Sequence, residues 1–206
     1  MKNSKTLILS SYGFSLINYW GRNLDNLIIG KYYGAKDLGL YSKAYSLLTF
    51  LLNIIRDTIG VILFPILKEH KDKTKHHTNI FYTTLNFTYI LVTPISLIFI
   101  FFPEEIVMNL WGENWITSAP IIQYFGILLQ LQPLIRMSGN IILIENHDKA
   151  LFNGGLGILF SVVGIIYGST ISVTAIAQYY CLSNVTFTTI YSVWYIYLKT
   201  LKVPVK

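Results

Sequence analysis

The sequence predicts an all-α integral membrane protein with about six transmembrane helices. The first observation is composition: 53% of the 206 residues are hydrophobic, 13% are charged and the mean hydropathy is +0.50, whereas soluble domains carry far more charge. The second is the recurrence of apolar segments that reach the ~20 residues a helix needs to cross a bilayer core. These segments are residues 6–30, 39–67, 78–102, 118–144, 150–170 and 173–198.

The distribution of lysines is the third observation, and it orients the spans. An even number of spans puts both termini on one side, and the segments on that side hold ten lysines, against Lys31 and Lys36 on the other. Because cytoplasmic segments accumulate positive charge, both termini are predicted to be cytoplasmic. The polar run 68–77 is then a cytoplasmic loop, and segment 103–117 lies at the outer interface.

Segment 103–117 has the pattern of a short amphipathic helix. Ile106, Val107, Leu110 and Trp111 fall on one side, and Trp115 follows closely. Since indole rings prefer the boundary between lipid and water, the pattern predicts a helix lying in the plane of that boundary.

Glycine, proline and aspartate mark the details of the spans. Gly34 permits a tight turn between the first two spans, and Asp37 is predicted to cap the second. Pro94 predicts a kink in the third span, which serves either as a hinge or only for packing. The spacing of Gly164 and Gly168 predicts close packing of helix backbones within the chain, with dimerisation as the alternative.

Three spans carry polar stripes at helical spacing, and each stripe includes an arginine. A polar stripe inside a bilayer is costly unless it faces a bundle interior or a water-filled cavity, so such stripes indicate a functional site. The stripe of the first span is Ser11, Ser15, Asn18, Arg22 and Asp25. The second is Ser42, Ser46, Thr49, Asn53, Arg56 and Gly60, and the third is Gln132, Arg136 and Asn140.

The arginines of these stripes are the candidate binding residues. Arg22, Arg56 and Arg136 are permanently charged and match phosphate oxygens bidentately, so a cavity that they line suits an anionic headgroup. The alternative is structural: Asp25 lies one turn from Arg22, and Asp57 adjoins Arg56, so these charges could pair within the bundle or reach an interface.

The sequence lacks the residue patterns that other functional classes require. No nucleophile, base and metal set appears in a recognisable motif, so we expect no enzyme and no cofactor. The histidines of the 68–77 run have no metal-site spacing, and the neighbouring lysines would oppose a cation. The lysines cluster at segment ends instead of one basic face, which argues against nucleic acid. Cys181 is the single cysteine, so no internal disulfide can form.

Three stretches carry a family resemblance: RNLDNLIIGKYYGAKDLGLYSKAY, LFPILKEHKDK and EEIVMNLWGENWITSAPIIQ. They resemble the polysaccharide-exporting flippases of the multidrug/oligosaccharidyl-lipid/polysaccharide (MOP) superfamily, in the branch that exports lipopolysaccharide, capsule or colanic-acid repeat units. The match is to the second half of such transporters, and it is strongest over residues 22–45.

The resemblance implies a fold, a substrate and a site. Residues 1–206 would form one six-helix lobe of a two-lobe transporter in the bacterial inner membrane. The substrate would be a polyprenyl-diphosphate-linked saccharide, turned over in a central cavity. The lobe's half of that cavity would be lined by Asn18, Arg22, Asp25, Asn53 and Arg56, with arginines on the diphosphate.

The resemblance covers one lobe, so a second lobe is expected as partner, either a second copy or a separate chain. Two alternatives stay open: a truncated remnant of a transporter, and a membrane scaffold that uses its stripes to bind a partner. A drug-extruding relative is a further possibility, since only the resemblance separates the two branches.

Overall fold

Helices account for nearly all of the described chain, and no strand occurs in that part. This computed structural model describes residues 19, 23–69, 74–145 and 147–201, with side chains for 19, 23–55, 82–134, 156–187 and 189–190. We number the helices α1 (residues 23–32), α2 (Gly34–Glu69), α3 (Thr74–Phe101), α4 (Pro103–Trp111), α5 (Ala119–Glu145), α6 (His147–Gly168) and α7 (Val173–Leu201). A 3₁₀ segment, Glu113–Ser118, joins α4 to α5.

Each predicted span after the first coincides with one long helix, and α1 covers the described end of the first span. The prediction that Asp37 caps the second span is wrong, because α2 begins before Asp37. Gly34, with φ of +87°, makes the reversal and opens α2 itself. Asp37 therefore lies in the first turn of α2, where a carboxylate favours the positive end of the helix dipole, and is not its N-cap.

The polar run predicted as the loop 68–77 is partly helical. Helix α2 continues to Glu69 and α3 begins at Thr74. Lysine and glutamate are good helix formers, so helices extend past the apolar segments that hydropathy detects. His70 lies outside the described residues, whereas His76 and His77 belong to the first turn of α3.

The chain divides into two compact units. One comprises Met1–Gly39 and Ile141–Lys206, and the other comprises Leu40–Asn140. The predicted organisation as a single lobe over residues 1–206 stays a prediction.

In the first unit, α6 and α7 form a tightly packed helical hairpin. A Cβ atom on Gly164 would lie 2.5 Å from the carbonyl oxygen of Tyr179, and one on Gly168 would lie 2.6 Å from that of Ala175. Only glycine permits this approach, so the structure assigns the spacing of these glycines to packing within the chain. Asn184 adds a bond between the helices by donating to Ser161 Oγ at 3.0 Å.

In the second unit, α3 and α5 are joined by a ladder of polar contacts. Ser96 Oγ donates to the carbonyl of Gly126 at 2.8 Å, and Gln123 Nε2 donates to the carbonyl of Ile100 at 3.0 Å. Gln130 Nε2 donates to the hydroxyl of Thr93 at 3.1 Å. A Cβ on Gly126 would lie 2.8 Å from that of Phe99, so the backbones lie close beside each other.

Two helices of the described part are long and apolar enough to cross a membrane. They are Gly34–Ile55 and Tyr82–Phe101, with Leu156–Gly168 as a shorter apolar helix. Only 28% of the apolar stretch in the first of these helices is buried, and 33% of that in the second. The core helix of a soluble protein is, by contrast, mostly buried. Large apolar side chains such as Ile90 are exposed on α3. The full set of six spans stays a prediction.

Candidate functional site

The polar stripe of α2 remains open in the described part of the chain. Ser46 and Asn53 are exposed, while Ser42 and Thr49 are half-buried. Phe50, on the same face, is 61% exposed. All of these residues lie within the candidate span Gly34–Ile55. If Gly34–Ile55 spans a membrane, an asparagine that faces only lipid is costly, so this face then requires a polar neighbour or water.

The hydroxyl groups of the stripe and its amide differ in their hydrogen bonds. Ser46 Oγ donates to the carbonyl of Ser42 at 2.7 Å, and Thr49 Oγ1 donates to that of Tyr45 at 2.9 Å. Serine and threonine can thus satisfy themselves on their own helix. The side-chain amide of Asn53 has no hydrogen-bond partner among the described residues. Among the described side chains of the stripe, this amide is the group most able to bind something from outside.

The stripe of the first span is described only at its end. Asp25 is 2% exposed, and its Oδ1 accepts a hydrogen bond from the backbone N–H of Asn26 at 2.8 Å. Asn18 and Arg22 lie outside the described residues. Because Asp25 is buried, other protein groups surround it. That Asp25 also lines a cavity stays a prediction.

The remaining predicted site residues are placed by their backbone alone. Arg56 lies in α2, and Arg136 lies in α5 beyond Pro133, but the side chains of both arginines fall outside the described set. Asp25 belongs to one compact unit, and Asn53 belongs to the other. The predicted site therefore stays a prediction, with the exposure of Asn53 as its described element.

Sequence reasoning missed a cluster of one lysine and two tryptophans in the second unit. The ammonium of Lys43 lies 3.8 Å from the ring centroid of Trp115 and 5.3 Å from that of Trp111. The two indole rings meet edge to face, with centroids 6.4 Å apart. Lys43 sits inside a predicted span, so it was not counted among the lysines of the outer segments. The sequence signal that could have revealed this cluster is a lysine near the N-terminal end of the apolar segment 39–67.

A second missed feature is a buried amide with one unpaired end. Gln130 Oε1 is buried and has no hydrogen-bond partner among the described residues, although Nε2 of the same amide bonds Thr93. Exchanging the amide's oxygen and nitrogen would leave the nitrogen unpaired instead. Gln130 lies within the predicted span 118–144, but the sequence could not supply its neighbour.

Comparison with known proteins places the chain in a family. The sequence pattern of the family described as polysaccharide biosynthesis protein matches residues 6–120, more than half of the chain. The chain belongs to this family. Two curated proteins are similar to this chain. The teichuronic acid biosynthesis protein TuaB of Bacillus subtilis is 24% identical over 153 residues, 74% of this chain. The lipopolysaccharide biosynthesis protein WzxC of Escherichia coli is 30% identical over 126 residues, 61% of this chain.

The similarity covers a limited part of each relative. The aligned region is 31% of the length of TuaB and 25% of the length of WzxC. No solved structure is significantly similar to this chain. Membership of this family supports a role in polysaccharide biosynthesis, and the geometry of the site comes from the present structure.

Proposed function

We propose that this chain is one transmembrane lobe of a MOP-type flippase, which moves lipid-linked saccharide units across the bacterial inner membrane for surface-polysaccharide biosynthesis. In this role it corresponds to the second half of such a transporter, with six spans and both termini in the cytoplasm. The observation that carries the proposal is the open polar face of α2, where Ser46 and Asn53 are exposed inside a candidate span.

A polar face at membrane depth supports a cavity between two lobes. An amide facing hydrocarbon loses hydrogen bonds that water or a polar ligand would supply, at a cost of roughly 1–3 kcal/mol. Covering this face with a second lobe, or filling it with water and substrate, removes that cost. Sugar hydroxyls donate and accept hydrogen bonds, and an asparagine amide can do both as well.

The arginines supply the charge that the lipid diphosphate requires. Arg22, Arg56 and Arg136 would contact its oxygens, while Asn18 and Asn53 hydrogen-bond the saccharide. Asp25 would set the orientation of a neighbouring guanidinium. Membrane lipid, the polyprenyl-diphosphate-linked saccharide and a second lobe are the partners in this proposal, which needs no metal, cofactor or nucleic acid and no enzymatic step.

Charge reversal tests the proposal. Export of polysaccharide should fall about tenfold or more in Arg22→Glu and Arg56→Glu, because each charge-assisted hydrogen bond to phosphate contributes roughly 1.5–3 kcal/mol. Export is measured as surface polysaccharide in cells, and the amount of the protein in the membrane is measured in parallel. Lys36→Glu is the matched control, since Lys36 is exposed near the start of α2 and carries the same charge change.

Two outcomes would contradict the substrate role. Loss of the arginine variants from the membrane would show that the guanidinium groups stabilise the bundle. Normal export in both variants would show that the arginines bind no substrate anion.

A further inference from the structure

The cluster of Lys43, Trp111 and Trp115, called here the outer anchor, lies entirely within the second compact unit. Lys43 occupies the third turn of α2, and the two tryptophans bracket Gly112, whose φ of +85° turns α4 into the 3₁₀ segment. This turn aims both indole rings at one ammonium group, at 3.8 and 5.3 Å. Cations prefer the negative face of indole over the other aromatic rings.

The position of Lys43 in α2 calls for such a partner. The candidate span Gly34–Ile55 includes Lys43, yet an ammonium group is costly in hydrocarbon and is found near its boundary. Indole rings prefer that same boundary, where the ring is apolar and the N–H is wet. Lysine and tryptophan therefore favour one depth in a bilayer, the level of the headgroups.

The faces of α4 agree with this depth. Val107 is fully buried against the protein, and Leu110 is 57% exposed beside it. Glu104 and Glu105 are exposed in the first turn. An exposed leucine beside two exposed carboxylates fits an element that lies where lipid meets water.

We propose that the outer anchor binds the phosphate and ester region of phospholipids in the outer leaflet and thereby fixes the depth of α2 in the membrane. The proposal rests on the proposed function in that α2 spans the bilayer and begins on its outer side. Lys43 marks the outer boundary on α2. The preceding residues, from Gly34, then protrude beyond the hydrocarbon.

This depth has a consequence for the polar stripe. Asn53 lies ten residues beyond Lys43 on α2, which is about 15 Å along a helix. The hydrocarbon core is about 30 Å thick, so Asn53 lies near its middle. The open amide is therefore at the depth where transporters place substrates between two lobes.

Tryptophan fluorescence in lipid nanodiscs measures the depth directly. Trp20→Phe and Trp194→Phe leave Trp111 and Trp115 as the only emitting indoles among the four tryptophans. Phospholipids with a doxyl group at carbon 5 should quench this emission about twofold more than those with the group at carbon 12, because the indoles lie near the headgroups. Equal or stronger quenching from carbon 12 would overturn the anchor while leaving the span intact.

Quenching by aqueous acrylamide separates this failure from failure of the proposed function. If acrylamide quenches fully and neither doxyl lipid does, the segment lies away from the membrane, and the spanning of α2 fails with it. In the same background, Lys43→Met should increase acrylamide quenching by about half or more, because the indoles lose their cation partner. Lys36→Met, with the same loss of charge, should change nothing. Identical quenching in the two variants would remove Lys43 from the anchor.

Discussion

Glycine at position 164 shows how a single atom limits the packing of this chain. The ideal position of a Cβ atom there is 2.5 Å from a backbone oxygen and 2.8 Å from Ser183 Oγ. A serine side chain can rotate away, but the backbone of α7 cannot do so without moving the helix. At Gly164, the contact between α6 and α7 therefore depends on the absence of a methyl group.

Gly164→Ala is expected to lower the free energy of unfolding by about 1–3 kcal/mol, the usual cost of overpacking. Thermal unfolding in mild detergent measures the change. Gly39→Ala is the matched control: no atom lies within 4 Å of a Cβ at Gly39, so alanine there should raise helix stability by about 0.5–1 kcal/mol. Equal stability of Gly164→Ala and the wild type would contradict the close approach.

Hydrogen bonds between α3 and α5 decide how these two elements are held. Ser96 is fully buried and bonds the backbone of α5, where Gly126 leaves room for it. Gln130 contributes differently, since only one end of its buried amide is paired. An unpaired buried group costs about as much as a good hydrogen bond contributes. The Gln130 contact therefore adds little net stability.

The half-paired amide of Gln130 predicts that variants of Gln130 and Thr93 differ in their free energy of unfolding. Gln130→Met should change the free energy of unfolding by less than about 0.5 kcal/mol, because the lost bond and the removed unpaired oxygen offset each other. Thr93→Val should cost about 1–3 kcal/mol, because it leaves the whole amide unpaired. The double variant should recover most of that loss. Chemical unfolding in detergent gives the three values, and a greater cost for Gln130→Met than for Thr93→Val would refute this account.

Across the whole molecule, two contacts support the predicted order of connections. Tyr33 Oη donates to the carbonyl of Ser169 at 2.8 Å, which brings the turn after α1 to the turn after α6. Lys43, near the start of α2, meets Trp115 of segment 103–117. Within each unit, connections predicted to share the outer side therefore lie at one end, as an up-and-down arrangement of helices requires.

The open face of α2 leads to an expectation about assembly. In mild detergent, we expect the chain to have the native mass of a complex, either of two copies or with a second multi-span protein, because the exposed Asn53 face is covered by a partner. Asn53→Leu should weaken that complex if the amide contributes to the contact. A stable monomer in native mass measurements would contradict a covering lobe and favour the remnant hypothesis.

The sequence by itself determined the helices and most of their bounds. Hydropathy and helical period are local properties, read along one segment at a time, so the segments 78–102, 118–144 and 173–198 correspond to α3, α5 and α7 within a few residues. The bounds differ where good helix formers continue past an apolar segment, as at Glu69. The family could also be recognised from local sequence, in the stretch at residues 22–45.

Only the tertiary structure decided which side chains meet. The burial of Asp25, the aromatic partners of Lys43 and the half-paired amide of Gln130 each depend on a neighbouring helix far away in sequence or on the packing around it. Helical periodicity gives the face on which a residue lies but not what covers that face. The polar stripe of α2 was thus predictable as a stripe, whereas its openness at Asn53 became visible only once the helices were packed.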